Sequence, residues 1–197
     1  MRNGSNAGLV ISGEHSVSHV ATFSRFVLLL VFVVAAVSKV RDRRRFREFA
    51  SSVAALRVVP DRLVGTVAMM VAGTELVASG LLLMLPSPAL TAAGLGLATA
   101  LVTSFAVAIT VVLRRGLTAS CRCFGGSGSV PFGWHHVARN AVLGLIGLAG
   151  VYAVMRAPTP DVGTLALTAP FALLVALLTI RLDDVVELFT PMSITDR

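Results

Sequence analysis

Five long apolar stretches determine what this chain of 197 residues can fold into. Each approaches or exceeds the ~20 residues that an α-helix needs to cross ~30 Å of hydrocarbon. In lipid every backbone polar group must be bonded within the protein, and a helix achieves this within a single segment. The sequence therefore predicts an all-α, polytopic transmembrane helical bundle of about five spans. These spans are Phe23–Val40, Leu63–Leu85, Ala89–Leu113, Val137–Met155 and Val162–Ile180.

The composition supports a membrane location. Hydrophobic residues make up 55% of the chain and charged residues 14%, whereas soluble domains carry about 25% charged residues. The net charge of +7 lies in short blocks between the apolar stretches, without interleaved aromatic residues, so the sequence argues against nucleic-acid binding and names the lipid bilayer as partner. Sixteen arginines against one lysine suggest a GC-rich bacterial genome, and hence a bacterial cell membrane.

The chain divides into three parts on this basis. Residues 1–22 are polar, and we expect them to be irregular and to lack a cleavable signal peptide. Residues 23–182 form the predicted transmembrane domain, and residues 183–197 a short acidic tail. Within the domain, Arg41–Arg62 has apolar residues at helical spacing among arginines, which predicts an amphipathic helix on the membrane surface that ends at Pro60. A solvated basic loop is the alternative.

The distribution of cations predicts the orientation. Lys39–Arg62 holds eight cations and Arg114–Arg139 holds four, whereas the turns at Pro86–Pro88 and Arg156–Asp161 have no net charge. Because positively charged loops stay inside, we expect both basic loops in the cytoplasm and the N-terminus outside.

Both cysteines of the chain lie two residues apart, at Cys121 and Cys123. Alpha carbons at this spacing are up to ~7 Å apart in an extended chain, so a disulfide needs a bent backbone, which the following glycines permit. Such a bond is strained and readily reduced. Nearby arginines, Arg139 among them, would favour the reactive thiolate. The pair is therefore a candidate catalytic site for thiol–disulfide exchange, and the activity would be that of a thiol–disulfide oxidoreductase.

Two other interpretations of this loop stay open. Cys121, Cys123, His135 and His136 offer four ligands to zinc, but adjacent histidines point in different directions and the cysteine spacing is tighter than in most zinc sites. Alternatively, both cysteines stay reduced and only pack in the loop.

Glu75 is the only acidic residue inside a predicted span. Counted from Leu63, it lies ~18 Å deep, near the membrane midplane, and an ionisable group there suggests a function. We expect it to be protonated or hydrogen-bonded between the second and third spans, with Thr103 or Ser104 as partner and Lys39 nearer the interface. The alternative is that the protonated acid only joins two helices.

A resemblance to a known family is carried by motifs spread over about residues 24–150. The chain resembles the MauE family of membrane proteins, which are related to the DoxX-like four-helix proteins. Its most specific element is the cysteine motif. The matching segments are Ser38-Lys39-Val40-Arg41-Asp42, Phe46, Phe49, Leu56–Pro60, Glu75-Leu76, Gly80-Leu81-Leu82, Arg115-Gly116, Cys121-Arg122-Cys123-Phe124-Gly125, Arg139-Asn140 and Leu143.

The resemblance implies a DoxX-like four-helix core with one further span at the C-terminus. It also implies an accessory role in processing, export or maturation of the disulfide-rich small subunit of methylamine dehydrogenase, or of another exported disulfide-containing protein, with a thioredoxin-like protein as a further partner. The alternatives are a DoxX-like bundle that binds a quinone or another small molecule through Glu75, and a purely structural membrane subunit. Oxidation of an exported protein requires cysteines on the outer side of the membrane. The distribution of charges instead predicts that Cys121 and Cys123 face the cytoplasm. A cytoplasmic pair would stay reduced, which favours the transfer of reductant.

Overall fold

The computed structural model describes residues 4–84, 87–116, 133–156 and 162–182, with side chains described from residue 16 onward. Within these ranges the chain is helical and contains no strand. Cys121, Cys123 and the acidic tail lie outside the described residues.

Six helices confirm the predicted all-α architecture. Five of them are long and apolar enough to cross a membrane, the first over Ser16–Val40, which confirms about five spans. The short exception, α2, follows the first span. The helices are α1 (Gly4–Val40), α2 (Arg43–Ala55), α3 (Val64–Leu83, preceded by a 3-10 turn), α4 (Pro88–Arg114), α5 (Trp134–Val154) and α6 (Val162–Ile180).

The first helix lies at the centre of the bundle, where it packs against α3, α5 and α6, while α4 packs between α3 and α5. Val27, Leu28 and Val31 of α1 are almost fully buried in the core. Small residues of α6, Ala172 and Ala176, join the same core. Many larger apolar side chains lie on the outer surface, as expected where lipid is the solvent.

Two boundaries differ from the sequence prediction. The first helix begins at Gly4 and not at Phe23, so the expectation that residues 1–22 are irregular is wrong from residue 4 onward. Ser18 and Thr22 are buried, and small hydroxyl side chains of this kind pack well between membrane helices. The second helix ends at Ala55 rather than at Pro60, and Arg57 follows with a positive φ of 50°.

The amphipathic helix α2 is confirmed, and it is docked on the bundle. The Asp42 carboxylate caps its start by accepting a hydrogen bond from the Arg45 backbone N–H at 2.8 Å. Phe49 and Val53 of its apolar face form a small core with Ala68 of α3. As a result, α2 covers the end of the bundle at which α1 stops.

Candidate functional site

A buried ion pair joins α1 to α3. The ammonium of Lys39 lies 2.8 Å from Oε1 of Glu75, and the two side chains are 2% and 4% exposed. Lys39 also donates to the Ala35 carbonyl at 3.3 Å, and its ammonium lies 4.8 Å from the centre of the Phe49 ring. Three helices therefore meet at Lys39, with α2 closing the site.

This pairing corrects the expected position of Lys39 relative to Glu75. The sequence placed Lys39 nearer the membrane interface than Glu75, and so did not predict that the two would pair. In the structure the first turns of α3 pack against α2, at Ala68, Val67 and Val71. The end of α1 therefore meets α3 further along, at Glu75. Lys39 and Glu75 are consequently at the same level, with α2 lying over both.

Glu75 forms no hydrogen bond with Thr103 or Ser104, the partners expected on α4. Thr103 donates its hydroxyl to the Thr99 carbonyl and Ser104 donates to the Ala100 carbonyl, both within their own helix. The second carboxylate oxygen of Glu75, Oε2, is buried and has no hydrogen-bond partner among the described residues. A buried oxygen without a donor is costly, so this oxygen is a strong acceptor for any donor that reaches it.

An interior cavity of about 60 Å³ lies beside the ion pair. A water molecule takes about 30 Å³ in the liquid, whereas a cavity that binds benzene measures about 150 Å³. The cavity thus has room for water and is too small for an aromatic ring. All five helices from α1 to α5 line it, with Lys39, Glu75, His136, Arg139 and Asn140 as its charged and amide or imidazole groups.

The start of α5 supplies most of those polar groups. Nδ1 of His136 accepts a hydrogen bond from the Gly133 backbone N–H at 3.3 Å, which helps to cap the helix. The Asn140 amide donates to the His136 carbonyl at 2.8 Å. Arg139 is partly buried and lines the cavity. The candidate residues Glu75 and Arg139 are therefore brought to one cavity, a proximity that their sequence positions did not predict.

The predicted cysteine site cannot be located in the same way, because Cys121 and Cys123 lie outside the described residues. Their segment leaves the end of α4, where Gly116 takes a positive φ of 65°, and returns before α5 at Gly133. Ile109 of α4 and His136 of α5 both line the cavity. The chain thus leaves and re-enters the bundle at the cavity end. Within the described ranges no cluster of three metal-binding side chains is present.

Sequence reasoning missed Lys39 as the partner and missed His136 and Asn140 as lining residues. One signal was available for Lys39: it is the chain's single lysine and ends the first span, and a buried acid is expected to find an opposite charge. Nothing comparable identified His136 and Asn140, because their role depends on how α5 packs.

Comparison with known proteins identifies the family of this chain. The family described as Methylamine utilisation protein MauE matches residues 17–153, from α1 to α5. The chain is 36% identical over 159 residues to Methylamine utilization protein MauE of Paracoccus denitrificans, with 78% of this chain and 81% of that protein covered. No solved structure matches significantly. The residues that the family model matches contain the ion pair and the polar side chains of the cavity, and they leave out α6. The chain therefore belongs to the MauE family.

Proposed function

We propose that this protein is a multi-pass membrane accessory protein of methylamine utilisation that assists the maturation of a disulfide-containing partner. Membership of the MauE family and the name of the Paracoccus relative support the metabolic context. Thiol–disulfide exchange at Cys121 and Cys123 is the proposed activity.

The observation that carries this proposal is the buried Lys39–Glu75 pair at the end of the bundle from which the cysteine segment emerges. Removing two charges from water costs several kcal/mol per ion, which their attraction repays only in part. Charges inside a membrane protein therefore suggest a function. A cavity with room for water beside a carboxylate offers a place to accept and return protons, which are lost and regained as thiols and thiolates interconvert during thiol–disulfide exchange.

The proposed chemistry is a two-step exchange. The thiolate of one cysteine attacks a partner disulfide, forming a mixed disulfide and releasing one partner thiolate. The second cysteine then attacks the mixed disulfide, so that the partner is reduced and Cys121 and Cys123 are joined. The two electrons come from the cysteine pair, which a thioredoxin-like protein reduces again. In the reverse direction the pair oxidises its partner.

Trapping of the mixed disulfide tests this mechanism. The experiment uses a strain in which the gene for this protein is deleted and a plasmid supplies the wild type or a variant. Cys123→Ser should leave a mixed disulfide between Cys121 and the partner, visible as an adduct that disappears on reduction. Loss of either cysteine should reduce the yield of mature partner as much as loss of both, because the two act as a unit. Ser127→Ala, in the same segment, is the matched control. Normal partner maturation with the double Cys→Ser variant would refute the redox role and favour a structural subunit.

The cavity also supports a second candidate, the binding of a small molecule at Glu75. Its volume of about 60 Å³ is below the about 150 Å³ that accommodates benzene, so a quinone ring would require the helices to move apart. Titration of the purified protein with a short-chain quinone tests this candidate. Saturable binding that Glu75→Gln abolishes would support the second function over the first.

We further propose that the cavity end faces the cytoplasm. Lys39, Ile109 and His136 share one cavity, which supports placing the two arginine-rich segments on the same side, and positive charge favours the inside. Reporter fusions after Arg57 and Gly128 should then report the inside. A reporter after Gly128 that is outside, with Arg57 inside, would contradict the topology and favour oxidation of an exported partner.

A further inference from the structure

A groove on the outer surface of α4 combines two arginines with an apolar stripe. It is lined by Arg57 and Arg115 at one end and by Val58, Val107 and Val111 beside them. Thr103 and Ser104 complete the lining. Arg57 and Arg115 are exposed, and no acidic side chain lines the groove. The groove therefore attracts an anion at one end and an apolar group along its length.

The stripe has the dimensions of one membrane leaflet. Thr103, Val107, Val111 and Arg115 follow one another at intervals of four residues, so they share one face of α4. At 1.5 Å per residue the stripe is about 18 Å long, whereas half of the hydrocarbon core measures about 15 Å. Val107 is 58% exposed on a helix that crosses the membrane. An acyl chain can thus lie along the valines while its headgroup reaches the arginines.

The backbone at Arg57 is unusual in a way that favours this use. Arg57 is the only residue other than glycine with a positive φ among the described residues. It follows Leu56, the C-cap of α2, and glycine is usual at this position because other residues are strained there. An arginine at this position destabilises the folded protein, and backbone strain of this kind often accompanies function.

From these observations we propose that the groove binds the phosphate headgroup of an anionic phospholipid, with Arg57 and Arg115 as the binding residues. A second groove also places arginines, Arg41 and Arg45, beyond exposed valines of α1, Val33 and Val37, but Asp42 lines it as well. Clusters of arginines next to a membrane helix attract anionic lipids electrostatically. The apolar stripe selects a lipid over a free phosphate ion, since a soluble anion gains nothing from the valines.

Native mass spectrometry of the full chain in detergent tests the site, with phosphatidylglycerol and phosphatidylcholine of equal chain length in equal amounts. Phosphatidylglycerol should be retained preferentially. Each arginine near the lipid contributes about fivefold, so Arg57→Gln with Arg115→Gln should lower the preference by about tenfold or more. The matched control, Arg62→Gln with Arg114→Gln, removes the same charge from exposed arginines outside the groove and should change the preference less than twofold.

Arg57→Gly separates binding from folding. Glycine tolerates the positive φ, so this variant should melt at the same temperature as the wild type or above it while losing about fivefold in lipid preference. Equal losses in the two double variants would show a diffuse charge effect and overturn the proposal, as would an unchanged preference in Arg57→Gly. Displacement of the lipid by millimolar inorganic phosphate would overturn the choice of a lipid as ligand.

Discussion

The two ends of α5 contact the bundle in opposite ways. At its start, His136, Arg139 and Asn140 line a cavity next to an ion pair. Toward its end, Gly147 and Gly150 let other helices approach so closely that no space is left. A β-carbon on Gly150 would lie 2.5 Å from the β-carbon of Ser24, and one on Gly147 would collide with the Thr99 hydroxyl. One end is therefore closely packed, and the other keeps an internal space.

From this difference we infer which end serves stability and which end serves function. Close contact between small residues is a main source of helix association in membranes, so the glycine end holds the bundle together. A buried ion pair is weak evidence for a stabilising role, because apolar residues of similar volume in its place often stabilise the folded protein equally or more. We infer that the cavity end retains its charges for function.

The largest expected effect comes from breaking the ion pair on one side. Lys39→Met leaves Glu75 buried without its partner, which typically costs about 3–5 kcal/mol, so thermal unfolding in detergent should begin at a much lower temperature. The matched control is Lys39→Met combined with Glu75→Met, which should restore the stability to the wild-type level or above it. A single variant as stable as the wild type would show that Glu75 does not depend on Lys39.

A smaller effect is expected at the glycine end. Gly150→Ala should destabilise by about 1–3 kcal/mol, as overpacked sites do, because its new methyl group meets Ser24. Gly96→Ala on α4 is the control, since nothing lies within 4 Å of a β-carbon there. Melting curves of the two variants test the contrast. Equal stability in both would mean that α5 and α1 are not closely packed.

The smallest effect concerns a second cation of α1, at the glycine end. Arg25 donates from Nε to the Leu82 carbonyl at 2.8 Å and from a terminal nitrogen to the Met84 carbonyl at 3.2 Å, at the end of α3. A cation at a helix C-terminus contributes about 0.3–1 kcal/mol. Arg25→Gln should therefore lower the melting temperature only slightly, and less than Lys39→Met does. If the two substitutions cost the same, the two ends of the bundle do not differ as described.

The spans could be predicted from the sequence because membrane helices must satisfy their own backbone and therefore appear as long apolar stretches. The prediction of α2 succeeded for a related reason: its apolar residues recur at helical spacing among arginines. The predicted start of α1 was wrong because Ser18 and Thr22 are residue types typical of loops, whereas in the structure they are buried in the bundle.

The candidate site was only partly predictable. Glu75 was identified because an acid in an apolar stretch is rare. Its partner was missed although Lys39 is the chain's single lysine, since the level at which α1 meets α3 depends on how the helices pack. The cavity likewise arises from five helices together. The roles of Cys121 and Cys123 stay a prediction, because both lie outside the described residues.

The central claim is that the buried charges serve function rather than stability. The double variant Lys39→Met with Glu75→Met tests it most directly, by measuring the yield of mature partner in a strain that makes the variant at the wild-type level. Its melting temperature in detergent is measured alongside. We predict a protein at least as stable as the wild type that fails to support maturation of the partner. Full maturation by this variant would contradict the claim.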